Sequence, residues 1–329
     1  MPRRLFDGLD DGLDEEILLL DNLTPPGASG ARCSLYWALA RALQLSGENA
    51  SYARLMGLGG AAFMLPLGPD LTVDWAAADV ERHLPEVFET LDSWAAHEEQ
   101  PWEPVLLSLC QEELRAQRAL AGQEADGGWL AIVGLKGREL LVQRPDSRQP
   151  YERLAPQLEA LISLGEPVAP PAGPPSELRV LADGLEALWR AMELLRESQE
   201  HWEAWGRGLG TDEPYGPERE QLARFMNEQQ LIATVIEARE CAALFLEELA
   251  SQTDFEFAEA LDAAAGAAWN VTTALEQLVA SPEVIQVAHG PEDDAWVERH
   301  RDALAGVSQG DDRLLVAIHD ALDYAGDVD

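Results

Sequence analysis

The sequence is poor in positive charge. Its 329 residues include 23 Lys or Arg against 60 Asp or Glu, a net charge of −37 at pH 7, and Lys136 is the single lysine. Such a chain repels polyanions, and no stretch clusters basic residues with aromatic ones. We therefore expect neither nucleic acid nor an anionic membrane surface as a partner. The acidity has two explanations, a solvated surface adapted to high salt or the recruitment of a cationic ligand or partner.

Cysteine is also scarce. Cys33, Cys110 and Cys241 are odd in number, widely spaced, and in no CxxC or Cys/His metal spacing. We therefore expect a reducing compartment, no disulfide framework, no metal and no cofactor. The chain has no apolar run of the roughly 18 residues that a membrane helix needs, and residues 17–20 are too few for a signal peptide. These absences predict a cytoplasmic protein.

Apolar residues are abundant enough for packed interiors, at 47% of the chain with 10 Trp. The length exceeds that of a usual single core and predicts two domains. The segment PVAPPAGPPS at 167–176 marks the boundary, because closely spaced prolines stiffen a linker. We predict an α+β domain at 1–166 and an all-α helical domain at 177–329.

A strong helix is predicted early in the first domain. Over residues 34–46, Leu35, Leu39 and Leu43 recur at four-residue steps, and Gly47 can end the helix. Cys33 stands at its N-terminus.

The remaining elements follow from periodicity and turn residues. In the first domain we predict a small antiparallel sheet with strands at 61–67, in a hairpin at 129–144 and at 160–166, and helices at 51–56, from Asp74 with an interruption at Pro85, and at 101–118. In the second domain we predict helices at 177–206, 217–251, 254–280, 292–305 and 311–325.

Cys33 is the candidate nucleophile. A thiol at a helix N-terminus lies at the positive end of the peptide dipoles, which favours the thiolate, and backbone N–H groups there can stabilise an oxyanion. The alternative is packing, because cysteine is among the most buried residue types. Tyr36, Trp37 and Trp129 are predicted to line a binding pocket with Arg144, although aromatic residues at such positions are equally typical of a core.

The stretch CSLYWALARALQLSGENASYARLMGLGGAAFMLPL, residues 33–67, resembles the N-terminal region of the butirosin biosynthesis protein H family. It is most similar to a group of uncharacterised bacterial proteins related to that family. The common elements are a Cys heading the first helix, a small helix ending in a Met-Gly step, and a Gly-rich entry to a strand. The resemblance implies a papain-like fold, similar to the cysteine peptidases that cleave double-glycine leaders.

The resemblance also implies where catalytic partners would lie, and this chain departs from the pattern there. An active member would place its imidazole one residue before the Trp-Leu-Ala-Ile-Val strand, where this chain has Gly128. It would place the orienting Asp before the proline, where this chain has Arg144. Neither residue can accept a thiol proton or orient a base. His83 and His97 lie in predicted helices, and His201, His289, His300 and His319 lie in the second half. Each histidine is interpreted as a solvated surface residue.

Three hypotheses follow. The first is a papain-like binding or assembly module without the His and Asp of a triad, whose ligand is an unknown small molecule or peptide. The second is a cysteine-dependent acyltransferase or amide or thioester hydrolase, in which Asp146 or a substrate amine serves Cys33 as a non-standard base. The third is a structural protein whose helical half forms a homodimer face.

Overall fold

The structure, a computed structural model, describes residues 17–21, 23–26, 30–48, 50–76, 78–90, 95–99, 103–164, 177–208, 218–253, 255–279 and 294–326. Its contacts divide the chain into two units, one of residues 1–55 with 88–170 and one of residues 56–87 with 171–329. The predicted linker lies outside the described residues. Residues 56–87, which the sequence analysis placed in the first domain, are grouped with the helices of the second unit.

The first unit is built on an antiparallel sheet. Its strands are β1 (Ile17–Leu19), β2 (Ala95–Glu99), β3 (Leu120–Gln123), β4 (Trp129–Lys136), β5 (Glu139–Gln143), β6 (Glu152–Leu154) and β7 (Ala160–Leu164). The order is β2-β7-β3-β4-β5-β6, and β1 pairs with β4. Helices α1 (Ser34–Leu45) and α4 (Glu103–Arg115) contact the sheet. The predicted α+β class, with a small antiparallel sheet and a helix headed by Cys33, is confirmed.

The predicted hairpin at 129–144 is confirmed as β4 and β5. Strand β4 is buried on both faces from Trp129 to Leu135, which explains its continuous apolar run. Gly137 has a φ of 58°, the left-handed conformation that a two-residue hairpin turn requires. The predicted strand at 160–166 is also present. His97, placed in a helix by the sequence analysis, lies in strand β2.

The segment 61–67 is not the predicted strand. It begins with a 3-10 helix at Ala61–Phe63, entered through Gly60 with a φ of 78°. The chain then runs extended to one isolated bridge between Leu67 and Val73. Segment 61–67 packs against helices of the second unit and does not pair with the described strands of the sheet.

Two short helices lie where the chain changes from one unit to the other, α2 (Tyr52–Leu58) and α3 (Leu84–Thr90). Helix α2 was predicted. Pro85 does not interrupt a helix, as the sequence analysis expected, but is the second residue of α3. A proline is tolerated in the first helical turn because its missing N–H has no partner there.

The second unit is helical, as predicted. Its long helices are α5 (Glu177–Gly208), α6 (Glu218–Ala250), α7 (Phe255–Val279) and α8 (Asp294–Gly326). The helices predicted at 292–305 and 311–325 are one continuous helix, because its buried face continues through Leu304, Val307 and Leu314. No helix in the described ranges combines the length and apolarity needed to cross a membrane.

A buried ion pair joins α6 to α8. Arg239 donates from Nε and Nη2 to the two carboxylate oxygens of Asp311 at 2.8 and 2.6 Å. Its Nη1 donates to the carbonyls of Ala62 at 2.7 Å and Met64 at 3.2 Å. Asp311 also accepts from Trp202 Nε1 at 2.8 Å. The helix predicted at 311–325 would begin at Asp311, which is wrong, since Asp311 is a buried residue within α8.

Candidate functional site

Cys33 is the residue that precedes the first turn of α1. Its backbone is extended, with φ −91° and ψ 94°, and its carbonyl accepts from Trp37 N at 3.1 Å. The cysteine therefore caps the helix, as the sequence predicts. Only 1% of its surface is exposed. A substrate carbonyl could not reach this sulfur without movement of the surrounding side chains.

The backbone amide of Cys33 already has a hydrogen-bond partner. It donates to the Tyr52 hydroxyl at 3.2 Å. In acyl transfer, the amide of the nucleophilic residue is a usual donor to the oxyanion of the tetrahedral intermediate. Here Tyr52 Oη occupies that donor.

The loop between β3 and β4 approaches the same end of α1. Trp129 N donates to Ser34 Oγ at 3.1 Å, so Gly128 and Trp129 lie beside the residue that follows Cys33. Gly128 N donates to Asp126 Oδ1 at 3.0 Å, and its carbonyl accepts from Glu124 N at 2.8 Å. Gly128, the neighbour of the residue that makes this contact with Ser34, has no side chain that could accept a proton.

Arg144, directly after β5, is held by two carboxylates. Its Nη2 lies 2.7 Å from Glu124 Oε1, and its Nη1 lies 2.5 Å from Glu152 Oε2. Burial acts to lower the pKa of the Arg144 guanidinium, but the hydrogen bonds and charges of Glu124 and Glu152 outweigh it and raise that pKa. Arg144 therefore ties together the β3–β4 loop, the end of β5 and strand β6.

Asp146, the predicted alternative base, is exposed in the turn after Arg144. Gln143, which was not singled out from the sequence, is a fully buried polar residue of this region. Gln143 accepts from Arg41 Nε at 2.7 Å and donates to the carbonyls of Thr24 at 3.0 Å and Pro150 at 2.6 Å. Burial lowers the pKa of the Arg41 guanidinium. The sequence signal that could have identified Gln143 is its position as the one polar residue at the end of the apolar run LLVQ.

The predicted pocket-lining aromatic residues are enclosed by protein. Tyr36, Trp37 and Trp129 have exposed fractions of 0%, 5% and 4%. This is the burial that the packing alternative predicts. Their role in ligand binding stays a prediction.

A cleft of about 500 Å³ lies within the second unit, between α5 and the segment that precedes α3. It is lined by Met64, Leu65, Ala78, Asp79, Arg82, Leu194, Arg196, Glu197, Ser198, Glu200 and His201. The sequence analysis interpreted His201 as a solvated surface residue, yet its Nδ1 bonds to the carbonyl of Leu65 at 3.1 Å. His83 and His300 are likewise not surface residues, with exposed fractions of 9% and 2%.

All three cysteines are reduced and buried. Within the described ranges, no three His, Cys, Asp or Glu side chains are grouped so that they could hold a metal ion. No protein-family model and no curated protein matches the chain.

Proposed function

We propose that this protein is a non-catalytic binding or assembly module whose first unit is papain-like and whose Cys33 is a core residue. The observation that carries the proposal is the 1% exposure of Cys33. A cysteine nucleophile attacks as an accessible thiolate, and a buried structural cysteine is inert. The ligand is a small molecule or peptide, and the buried reduced thiols support a cytoplasmic location.

Two neighbouring positions support the proposal. Gly128, on the loop that bonds to Ser34 through Trp129, offers no imidazole or carboxylate. Arg144 is engaged by Glu124 and carries the charge opposite to that of an orienting Asp. The donation from the Cys33 amide to Tyr52 removes a further catalytic group.

The alternative, an acyltransferase or hydrolase acting through Cys33, requires an accessible thiolate and a base. Its base would be Asp146, which is exposed in the turn after β5. The two functions therefore differ in a measurable property, the reactivity of one sulfur atom.

The test is alkylation by iodoacetamide of the native protein at neutral pH, with each cysteine followed by peptide mass spectrometry. Cys110 is the internal reference, because its exposed fraction is 0% and burial followed by the charge of Glu113 raises its pKa to about 12. We expect Cys33 to react as slowly as Cys110 in the native protein, and both to react fast in urea.

The control is the Cys33→Ala variant, which should retain the native circular dichroism spectrum. Fast, selective alkylation of Cys33 in the native protein would contradict the proposal. So would a thioester or amide substrate that the native protein turns over and the Cys33→Ala variant does not.

A further inference from the structure

The cleft of the second unit has two chemically different walls. Residues 64–82 contribute apolar side chains with Asp79 and Arg82, and α5 contributes Leu194 with charged side chains and His201. Its volume of about 500 Å³ falls in the range of small-molecule sites. Both walls belong to the second unit.

His201 is fixed across this cleft. A backbone carbonyl can only accept, so the 3.1 Å contact between His201 Nδ1 and Leu65 O requires a proton on Nδ1. In the neutral ring, Nε2 is then left as an acceptor. The cleft therefore offers a ring nitrogen whose tautomer is set before any ligand arrives.

Charges of both signs line the cleft and are only weakly paired with one another. Arg82 Nη1 and Glu197 Oε1 are 3.7 Å apart, with side chains 50% and 61% exposed, which is a weak pair. Arg196 contacts Met192 Sδ at 3.4 Å and has no ion-pair partner within the described ranges. Within the same ranges, Asp79 and Glu200 also have none.

We infer that this cleft binds a small zwitterion, a molecule that carries a carboxylate and an ammonium group on an apolar body. An anion alone would meet the guanidinium groups of Arg82 and Arg196 but be repelled by the nearby carboxylates. A cation alone would have the opposite difficulty. The apolar part of the lining consists of Met64, Leu65 and Leu194, each at most 4% exposed, and the partly exposed Ala78. An amino acid or a dipeptide has this size and charge pattern.

The test uses the dipeptide leucyl-glycine and two analogues in isothermal titration calorimetry at low salt. N-acetyl-leucyl-glycine lacks the ammonium group, and leucyl-glycinamide lacks the carboxylate. We expect leucyl-glycine to bind, and each analogue to bind about tenfold more weakly, since each loses one charge-assisted contact. Equal affinity for all three, or tighter binding of either analogue, would overturn the inference, as would no heat of binding at millimolar dipeptide.

Two arginines of α5 provide matched variants. Arg196→Ala removes a cleft guanidinium and should weaken leucyl-glycine binding about tenfold. Arg207→Ala removes an exposed arginine outside the cleft, whose partner is Glu203 at 3.1 Å, and should leave the affinity unchanged. Unchanged affinity in Arg196→Ala, with a native circular dichroism spectrum, would also overturn the inference. The result is independent of Cys33, so this experiment and the alkylation experiment can fail separately.

Discussion

Replacing Arg239 with methionine removes the positive half of the buried ion pair between α6 and α8. Arg239 and Asp311 have side chains 0% and 1% exposed, so the remaining carboxylate would be left without its counterion in the interior. Such a loss typically costs about 3–5 kcal/mol of unfolding free energy. The carbonyls of Ala62 and Met64 lose a donor as well, which adds about 1 kcal/mol each. We expect a total of about 5–7 kcal/mol.

A double-mutant cycle separates the charge effect from the hydrogen bonds. Asp311→Leu alone leaves the Arg239 charge and the Trp202 indole N–H without the carboxylate, and should cost about 3–5 kcal/mol. The variant with both substitutions leaves neither charge of the pair, and the groups that lose a partner are neutral: the carbonyls of Ala62 and Met64 and the Trp202 indole N–H. We expect it to be more stable than either single variant, with a coupling energy of at least about 2 kcal/mol.

Urea denaturation with linear extrapolation is the suitable assay, because guanidinium chloride would screen the charge of −37 carried by this chain. Arg207→Met is the matched control. Its guanidinium, 70% exposed, pairs with Glu203 one turn away, and its loss should change stability by less than about 0.5 kcal/mol. If Arg239→Met lowered the free energy of unfolding as little as Arg207→Met does, the Arg239–Asp311 pair would be hydrated. The reasoning would then be refuted.

Two further predictions test packing and ionisation. A Cβ on Gly310 would lie 2.7 Å from Val271 Cγ2, whereas one on Gly306 would meet no atom within 4 Å. In urea denaturation, Gly310→Ala should therefore lower the free energy of unfolding by about 1–3 kcal/mol, whereas Gly306→Ala should raise it by up to about 1 kcal/mol. Stabilisation by both substitutions would contradict the close approach of α7 to α8. Cys110 has a folded pKa raised by burial, then by Glu113, from 9.0 to about 12, so the unfolded chain loses this proton first. The contribution of the Cys110 thiol to the free energy of unfolding should be present below pH 9 and be lost between about pH 9 and 12. If the stability of the Cys110→Ala variant had the same pH dependence as that of the unchanged protein, this would be contradicted.

The elements that could be predicted from the sequence are those whose apolar periodicity matches the burial that the fold gives them. The hairpin at 129–144 and helix α1 have long, regular apolar patterns, and the structure confirms both. Strands β1, β2, β3 and β6 were missed because their three to five residues carry too little periodicity. The segment 61–67 was assigned to a strand because its apolar run fits either a strand or a buried irregular chain, and only distant helices decide between them.

The buried polar residues were the hardest to predict. Asp311 pairs with Arg239, 72 residues away, and no local pattern connects them. His201 looked like a surface residue because its partner, the carbonyl of Leu65, is 136 residues away. The place of Cys33 before α1 could be predicted from helix periodicity. Its burial could not, because burial depends on side chains contributed by the rest of the chain.

The assignment of residues 56–87 to the helical unit has a consequence for the order of synthesis. The carbonyl of Ala62 is translated 177 residues before Arg239, the side chain that binds it. At about 5–20 residues per second, that interval lasts roughly 10–35 s. During that time Phe63, Met64 and Leu65 are on a nascent chain that still lacks α6, so their apolar side chains need another cover, such as a chaperone or a transient contact.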